Sequence, residues 1–245
     1  MTRRSSADIG FLLIDGYDVL GVITQLEDSQ SALTEETTAF GDDWTKHEYT
    51  NLKEGTLTQE GFFDTSTNSI NDALAGNRGV ERILNYNVEG NTIGKHLLCW
   101  SGALQVDYNK VVSSGELHKA NASYENAGVV EQGLILHAHT ERETDGDTES
   151  DPVQHGASST DGGSAYLQVS DLSLDDYNDV LITVRERNGG TWADLQSFTA
   201  VTEAPHSERL EIEGNIEQDL AVKWEFRNGT GSNQSIKFVV GFVRN

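Results

Sequence analysis

Residues 11–64 read FLLIDGYDVLGVITQLEDSQSALTEETTAFGDDWTKHEYTNLKEGTLTQEGFFD, and the fold class turns on this stretch. It opens with a short apolar strand that ends in a turn at Gly16-Tyr17-Asp18. A polar, acid-rich loop is expected next, carrying Thr34-Glu35-Glu36-Thr37-Thr38 and then Gly41-Asp42-Asp43-Trp44. A second strand is expected over residues 47–63, closing on the aromatic pair Phe62-Phe63. Neighbouring residues of a strand point to opposite faces. One of the two rings must therefore meet a helix or a neighbouring subunit, and Phe62 is the one expected in the core.

Working outward, strand signals rich in apolar and β-branched residues recur over 55–63, 79–88, 95–106 and 129–139. Residues 69–74 supply the expected start of a short helix. The character changes at residues 139–163 (HTERETDGDTESDPVQHGASSTDGG), which are acid-rich and almost free of apolar side chains. Residues 141–161 read as a solvated surface loop or linker, separating an N-terminal domain over 1–140 from a C-terminal domain over 162–245. In the second half, 164–170, 179–187 (DVLITVRER), 191–201, 208–213 (ERLEIE), 220–227 (LAVKWEFR) and 236–244 (IKFVVGFVR) are expected strands. Asn188-Gly189 between two of them has the positive-φ tolerance of a type I′ hairpin turn. Short antiparallel strands, each with one apolar face, predict an all-β protein with one short helix and two sandwich-like domains. A gapped echo links the halves: Glu81-Arg82, Glu89-Gly90-Asn91 and Trp100 against Glu208-Arg209, Glu213-Gly214-Asn215 and Trp224. It leaves open whether the second half duplicates the first.

Composition narrows the function classes. The 245 residues hold 40 acidic and 17 basic side chains, a net charge of −23. Such a field repels nucleic acid, whose non-specific capture needs clustered Lys and Arg; Arg3-Arg4 is no binding arm. The balance is that of proteins soluble in concentrated salt, where screening shrinks to roughly 3 Å at 1 M, and it predicts a halophilic host. Cys99 is the only cysteine, so no intrachain disulfide forms, and in HLLCW it reads as a small buried hydrophobe. The apolar run near the N-terminus is too short for a signal peptide or a membrane span, so folding in a cytoplasm is expected.

Catalytic and metal motifs are weak. His137 and His139 have the spacing that places two imidazoles on one strand face, yet a zinc site needs a third ligand, for which Glu141, Glu143 and His155 are the neighbours in sequence. Residues 145–151 (DGDTESD) lack the calcium-loop pattern. Asn188-Gly189-Gly190-Thr191-Trp192 is a hairpin rather than a repeated propeller turn. No nucleophile, base and orienting group emerge together. No enzyme, no cofactor and no metal are expected.

Three pieces taken in order carry a resemblance: residues 15–21 (DGYDVLG), 39–44 (AFGDDW) and 55–64 (GTLTQEGFFD), followed by the short helix. Together they resemble the N-terminal half of the major tail tube proteins of long-tailed viruses, while the second half matches loosely. The resemblance implies a structural protein of the virion tail that forms homo-oligomeric rings, six chains or three chains with duplicated domains, stacked into a tube beside other tail proteins. It implies that DNA passes through the lumen without specific binding and that the chain does not insert in membranes. In that family the long loop reaches between rings. Exposed aromatics on loops mark contact surfaces, so Phe40, Trp44, Phe62 and Phe63 are the candidate inter-subunit contacts. The alternative is a β-sandwich module that binds glycan or another cell-surface ligand.

Overall fold

The computed structural model describes residues 9–39 and 43–245. Strand β1 (Phe11–Ile14) turns back into β2 (Tyr17–Asp18) through Asp15 and Gly16, whose φ values of 47° and 84° are both left-handed. After a 3₁₀ turn at Leu20–Val22 come β3 (Ile23–Glu36) and β4 (His47–Phe62). Helix α1 (Ile70–Leu74) follows, with Ser69 at its N-cap. Then come β5 (Glu81–Asn87), β6 (His96–Val111), β7 (Lys119–Asn126) and β8 (Val130–Arg142). Two short pieces, β9 (Gly146–Asp147) and β10 (Val153–Gln154), precede β11 (Gly163–Ser173). The chain ends with β12 (Asp179–Asn188), β13 (Thr191–Ser197), β14 (His206–Ile212), β15 (Asp219–Arg227) and β16 (Ser235–Arg244). Among the described residues the fold is all-β with one short helix.

Three local expectations need correction. Most of the expected acid-rich loop is strand: β3 pairs β4 from Ile23↔Gly61 to Glu36↔His47, a long hairpin whose connection spans only 37–46. Exposed on both faces over most of its length, β3 carries no apolar alternation to announce it. The turn after β12 is Gly189-Gly190, at φ 59° and 90°, while Asn188 still pairs with Thr191. The acid-rich 141–161 stretch is largely solvent-exposed, as expected, but it is docked on the second sheet rather than a free linker. Here β9 and β10 pair with β15, Trp224 Nε1 donates to the Thr144 carbonyl at 2.8 Å, and Asp145 Oδ1 accepts from the Phe226 N–H at 2.7 Å. Carboxylates there serve as local acceptors, which composition does not reveal.

The larger sheet runs β14-β11-β16-β8-β6-β5-β1-β2, and β6 also carries β7, then β4, then β3 at its far end. The second sheet is β10-β15-β12-β13, with β9 beside β15. Segment 162–245 thus contributes to both sheets: β11, β14 and β16 continue the first half through the β16–β8 ladder. The larger sheet curls until β11 and β14 meet β1 and β5, a seam closed by polar side chains. Gln168 accepts from the Gly16 N–H at 2.5 Å and donates to Asn85 Oδ1 at 2.7 Å. Asp15 accepts from Arg82 Nε at 2.7 Å, from the Ile83 N–H at 2.9 Å and from Ser207 Oγ at 3.0 Å.

Three cores result. Inside the curl lie Phe11, Leu13, Leu97, Cys99, Ile135, Tyr166, Val239 and Val243. Outside it, alternate residues such as Leu167, Phe238 and Phe242 pack with Val180, Val222 and Trp224 of the second sheet. On the other flank Leu12, Ile14, Leu84 and Trp100 pack with α1, Leu57 and Tyr124. Strands β1, β6 and β16 therefore bury both faces along much of their length, which is why they read as continuous apolar runs rather than as an alternation.

Candidate assembly surface

Strands β6, β7, β4 and β3 form a four-stranded antiparallel extension of the larger sheet. Its inner face presents Leu57, Ala120, Ala122 and Tyr124 to the core. Register fixes the opposite face. Gln25, Glu60, Asn121 and Asn109 form one row across the sheet, and Glu27, Thr58, Ser123 and Asp107 the next. Glu125 lies beside Thr56, and Lys119 between Phe62 and Val111. Four carboxylates (Glu27, Glu60, Asp107, Glu125) thus meet one ammonium, and no second layer covers them among the described residues.

Both edges of this extension are open. Among the described residues no strand pairs the outer edge of β3, and β5 pairs β6 only as far as Leu104. Beyond that, Gln105 exchanges backbone hydrogen bonds with Gly79 and Val80, and the edge from Asp107 to Val111 has no strand beside it among the described residues. Strand β4 also outruns β7, since their ladder stops at Thr56↔Glu125 and Asn126 Oδ1 accepts from the Gly55 N–H at 2.7 Å. A cleft of about 520 Å³ opens where the hairpin leaves the body, lined by Ala32, Leu52, Lys53, Glu54 and Val129 among others. The hairpin is tied back to the core where the Tyr86 hydroxyl donates to Asp28 Oδ2; burial and the Asp28 charge push the Tyr86 pKa up.

The four aromatic candidates do not gather. Phe40 lies outside the described residues. Trp44, 83% exposed, sits at the hairpin tip beyond one end of β4, and Phe62 closes the other end, a strand about 50 Å long at ~3.3 Å per residue. Phe62, expected in the core, is exposed instead. Leu57, Gln59 and Gly61 point inward, so parity turns Phe62 outward, and Phe63 packs on the core with Lys110 Nζ 4.7 Å from its ring centroid. Sequence reasoning passed over Leu52, Val112, Leu117 and Val129, all strongly exposed. Two of these flank a turn, a position normally left to polar residues, and that mismatch was the available signal.

Elsewhere the candidate chemistry dissolves into packing. A bulge in β8 between His137↔Val240 and Thr140↔Phe238 puts the two histidines on different faces, not one. His137 stacks on Phe238 at 4.0 Å and accepts from Arg142, and burial with that guanidinium drives its pKa down to about 3. His139 meets Phe11, with Ser170 Oγ at 2.8 Å and Asp18 at 3.7 Å. Burial lowers it to about 4 against the pull of Asp18. Burial raises the Cys99 thiol. Trp192 lies under Arg187, 5.6 Å from its ring centroid. Among the described residues no three His, Cys, Asp or Glu side chains converge on a metal position, and no helix is long and apolar enough to cross a membrane.

No family model matches the chain, and no curated protein matches it. Among solved structures it is similar to a chain from the tail of an empty gene transfer agent particle refined with C6 symmetry. That match has 11% identity and a TM-score of 0.41, over 52% of this chain and 97% of that one. A chain of the native gene transfer agent virion gives 11% identity and 0.42 over the same shares. The SPP1 Dit protein, a hub of the adsorption apparatus of phages infecting Gram-positive hosts, gives 11% and 0.35 over 96% and 99%. At these values the likeness leaves function to be argued from geometry.

Proposed function

We propose that this chain is a structural subunit of a virion tail that closes with copies of itself into rings, and that the rings stack into the tube through which the genome passes. The observation that carries the reading is the four-stranded extension with two open edges and one uncovered face. Open edges invite pairing with another chain, and closure into a ring removes them. The strand count favours it. Strands β3 and β6 run antiparallel to each other, so placing β6 of one copy beside β3 of the next continues an unbroken antiparallel ladder around a rotation axis.

Barrel width argues for six copies. Three copies would give a twelve-stranded barrel, smaller than the 16–18 strands that enclose an aqueous channel in porins; six give 24. The two halves of the sequence echo also fold differently, since β5 pairs with β6 whereas β14 and β15 lie in different sheets. That supports reading the second sheet as an outward decoration rather than a second tube domain. The uncovered face would then line the channel, and Glu27, Glu60, Asp107 and Glu125 from each copy would repel phosphates and keep DNA from sticking.

Negative-stain imaging of the purified protein in molar salt tests the reading. Rings or tubes with six-fold projections are expected, and monodisperse globular particles across all conditions that favour assembly would sink it. Replacing Glu27 and Glu125 by Lys should leave the rings intact while making them retard duplex DNA in a gel. Dilution from molar to roughly 0.1 M salt lengthens screening from about 3 to about 10 Å. With −23 per chain, the assembly should loosen; an unchanged melting temperature would remove the case for a halophilic host.

A further inference from the structure

Resting on the self-assembly reading, we infer that the β6–β7 turn of one copy seats in the cleft under the β3–β4 hairpin of the next, a head-to-tail contact along the strand direction. The two surfaces lie at opposite ends of one sheet. Val112 and Leu117 stand on either side of a turn closed by the Glu116 N–H donating to the Ser113 carbonyl, and they are 67% and 71% exposed. From Lys119 beside that turn, β7 runs to Asn126 at the cleft, about 23 Å at ~3.3 Å per residue. Within one chain the knob cannot reach the hole.

The cleft is shaped to receive it. Leu52 and Val129, 61% and 50% exposed, face the gap left where β7 gives out. The β4 backbone from His47 to Glu54 has no strand on that side among the described residues. Charge matches as well: the cleft carries Lys53 and Glu54, and the turn region carries Glu116 and Lys119, so each has an opposite sign to meet. A chain presenting an apolar knob and an apolar cleft at opposite ends exposes two association-prone patches as a monomer. One heterologous contact covers both, and because it joins different surfaces it propagates from copy to copy. This favours a second copy over any other occupant.

Cysteine pairing reads the contact directly, since Cys99 is buried and adds no competing thiol. The Leu52→Cys/Leu117→Cys chain, oxidised with copper phenanthroline in molar salt, should give a ladder of dimer, trimer and longer species on denaturing gels, collapsing on reduction. A mixture of the two single variants should stop at the dimer. A double variant that stays monomeric while forming tubes by microscopy overturns the contact and leaves the ring reading standing. Neither ladder nor tubes overturns both, whereas a ladder without rings upholds the contact and removes ring closure. Leu117→Cys cross-linking to itself as strongly as the double variant would also overturn it, because the contact would then be symmetric.

Discussion

Around β11 and β16 both faces of the sheet are covered, one by the second sheet and one by the inside of the curl. Around β7, the inner part of β4 and the end of β6 one face is covered and the other meets solvent, and β3 beyond its base is covered on neither. Only the inward residues of the extension repeat an apolar pattern, and its two full outward rows are Gln, Glu, Asn, Thr, Ser and Asp. On the proposed reading the first region is finished as a monomer and the second is not, so that stability falls to one and association to the other; substitutions in the two regions should then separate in what they disturb.

The largest expected effect tests that separation. Phe238 is fully buried, stacked on His137 and edge-on to Trp224 at 5.7 Å. Phe238→Ala should cost about 3–5 kcal/mol and lower the melting temperature of the whole chain. Trp44→Ala, at the exposed hairpin tip, should leave monomer stability within about 0.5 kcal/mol. Equal losses in paired urea titrations would mean that the hairpin is part of the cooperative core after all.

Next in size is the seam that closes the curl. The Arg82 side chain is 3% exposed and its Nε finds Asp15 at 2.7 Å, while Asp15 also accepts from Ser207 of β14. Asp15→Ala leaves the guanidinium buried without its counter-charge, a loss of about 3 kcal/mol. Hydrogen exchange should show β14 and β5 losing protection together. Loss in β5 alone would show that the curl does not depend on this seam.

What was legible follows the same division. Strand β4, the helix at Ser69 and most strands of the second half are legible because a buried face imposes alternation or an apolar run, while β13, with no buried residue, is marked by the glycine turn before it. Strand β3 was read as loop because the hairpin beyond its base buries neither face. Strand β7 was missed because its inward positions include Ala120 and Ala122, too small to stand out among KANASYEN. The β16–β8 ladder that joins the halves joins residues about 100 apart in sequence, and no local pattern encodes a partner. Val112 and Leu117 were unread for a different reason: an apolar turn contradicts local rules, and such contradictions tend to mark functional sites.

Another effect is graded by pH and is small near neutrality. His137 and His139 ionise near 3 and 4 in the folded chain against about 6.5 unfolded. The unfolded chain therefore takes up their protons first. Stability is full above pH 6.5, falls as pH drops below it, and levels off only once the folded pKa values are passed. The steepest slope is roughly 1.4 kcal/mol per pH unit for each histidine. Because His137 lies in the doubly covered region and not in the extension, His137→Gln should flatten the pH profile of global unfolding without altering the pH dependence of assembly. A profile that keeps its full slope in the variant would place the titration elsewhere.

The smallest expected effect has the opposite sign and falls in the extension. Gln59 is 1% exposed on the inner face of β4, and neither amide atom has a hydrogen-bond partner among the described residues. It pairs across the ladders with Leu26 on one side and Ala122 on the other, so its surroundings are apolar. A buried amide left unpaired costs about 1–3 kcal/mol, and Met has nearly its length and flexibility without the polar atoms. Gln59→Met should therefore raise the melting temperature by a few degrees, the shift that roughly 1 kcal/mol gives in a chain of this size. The rings should be unaltered, because residue 59 faces away from the proposed channel. A lower melting temperature would show that the amide is satisfied in solution. The inner face of the extension would then be as well finished as the rest of the molecule, and the contrast between the two regions would lie in their outer surfaces alone.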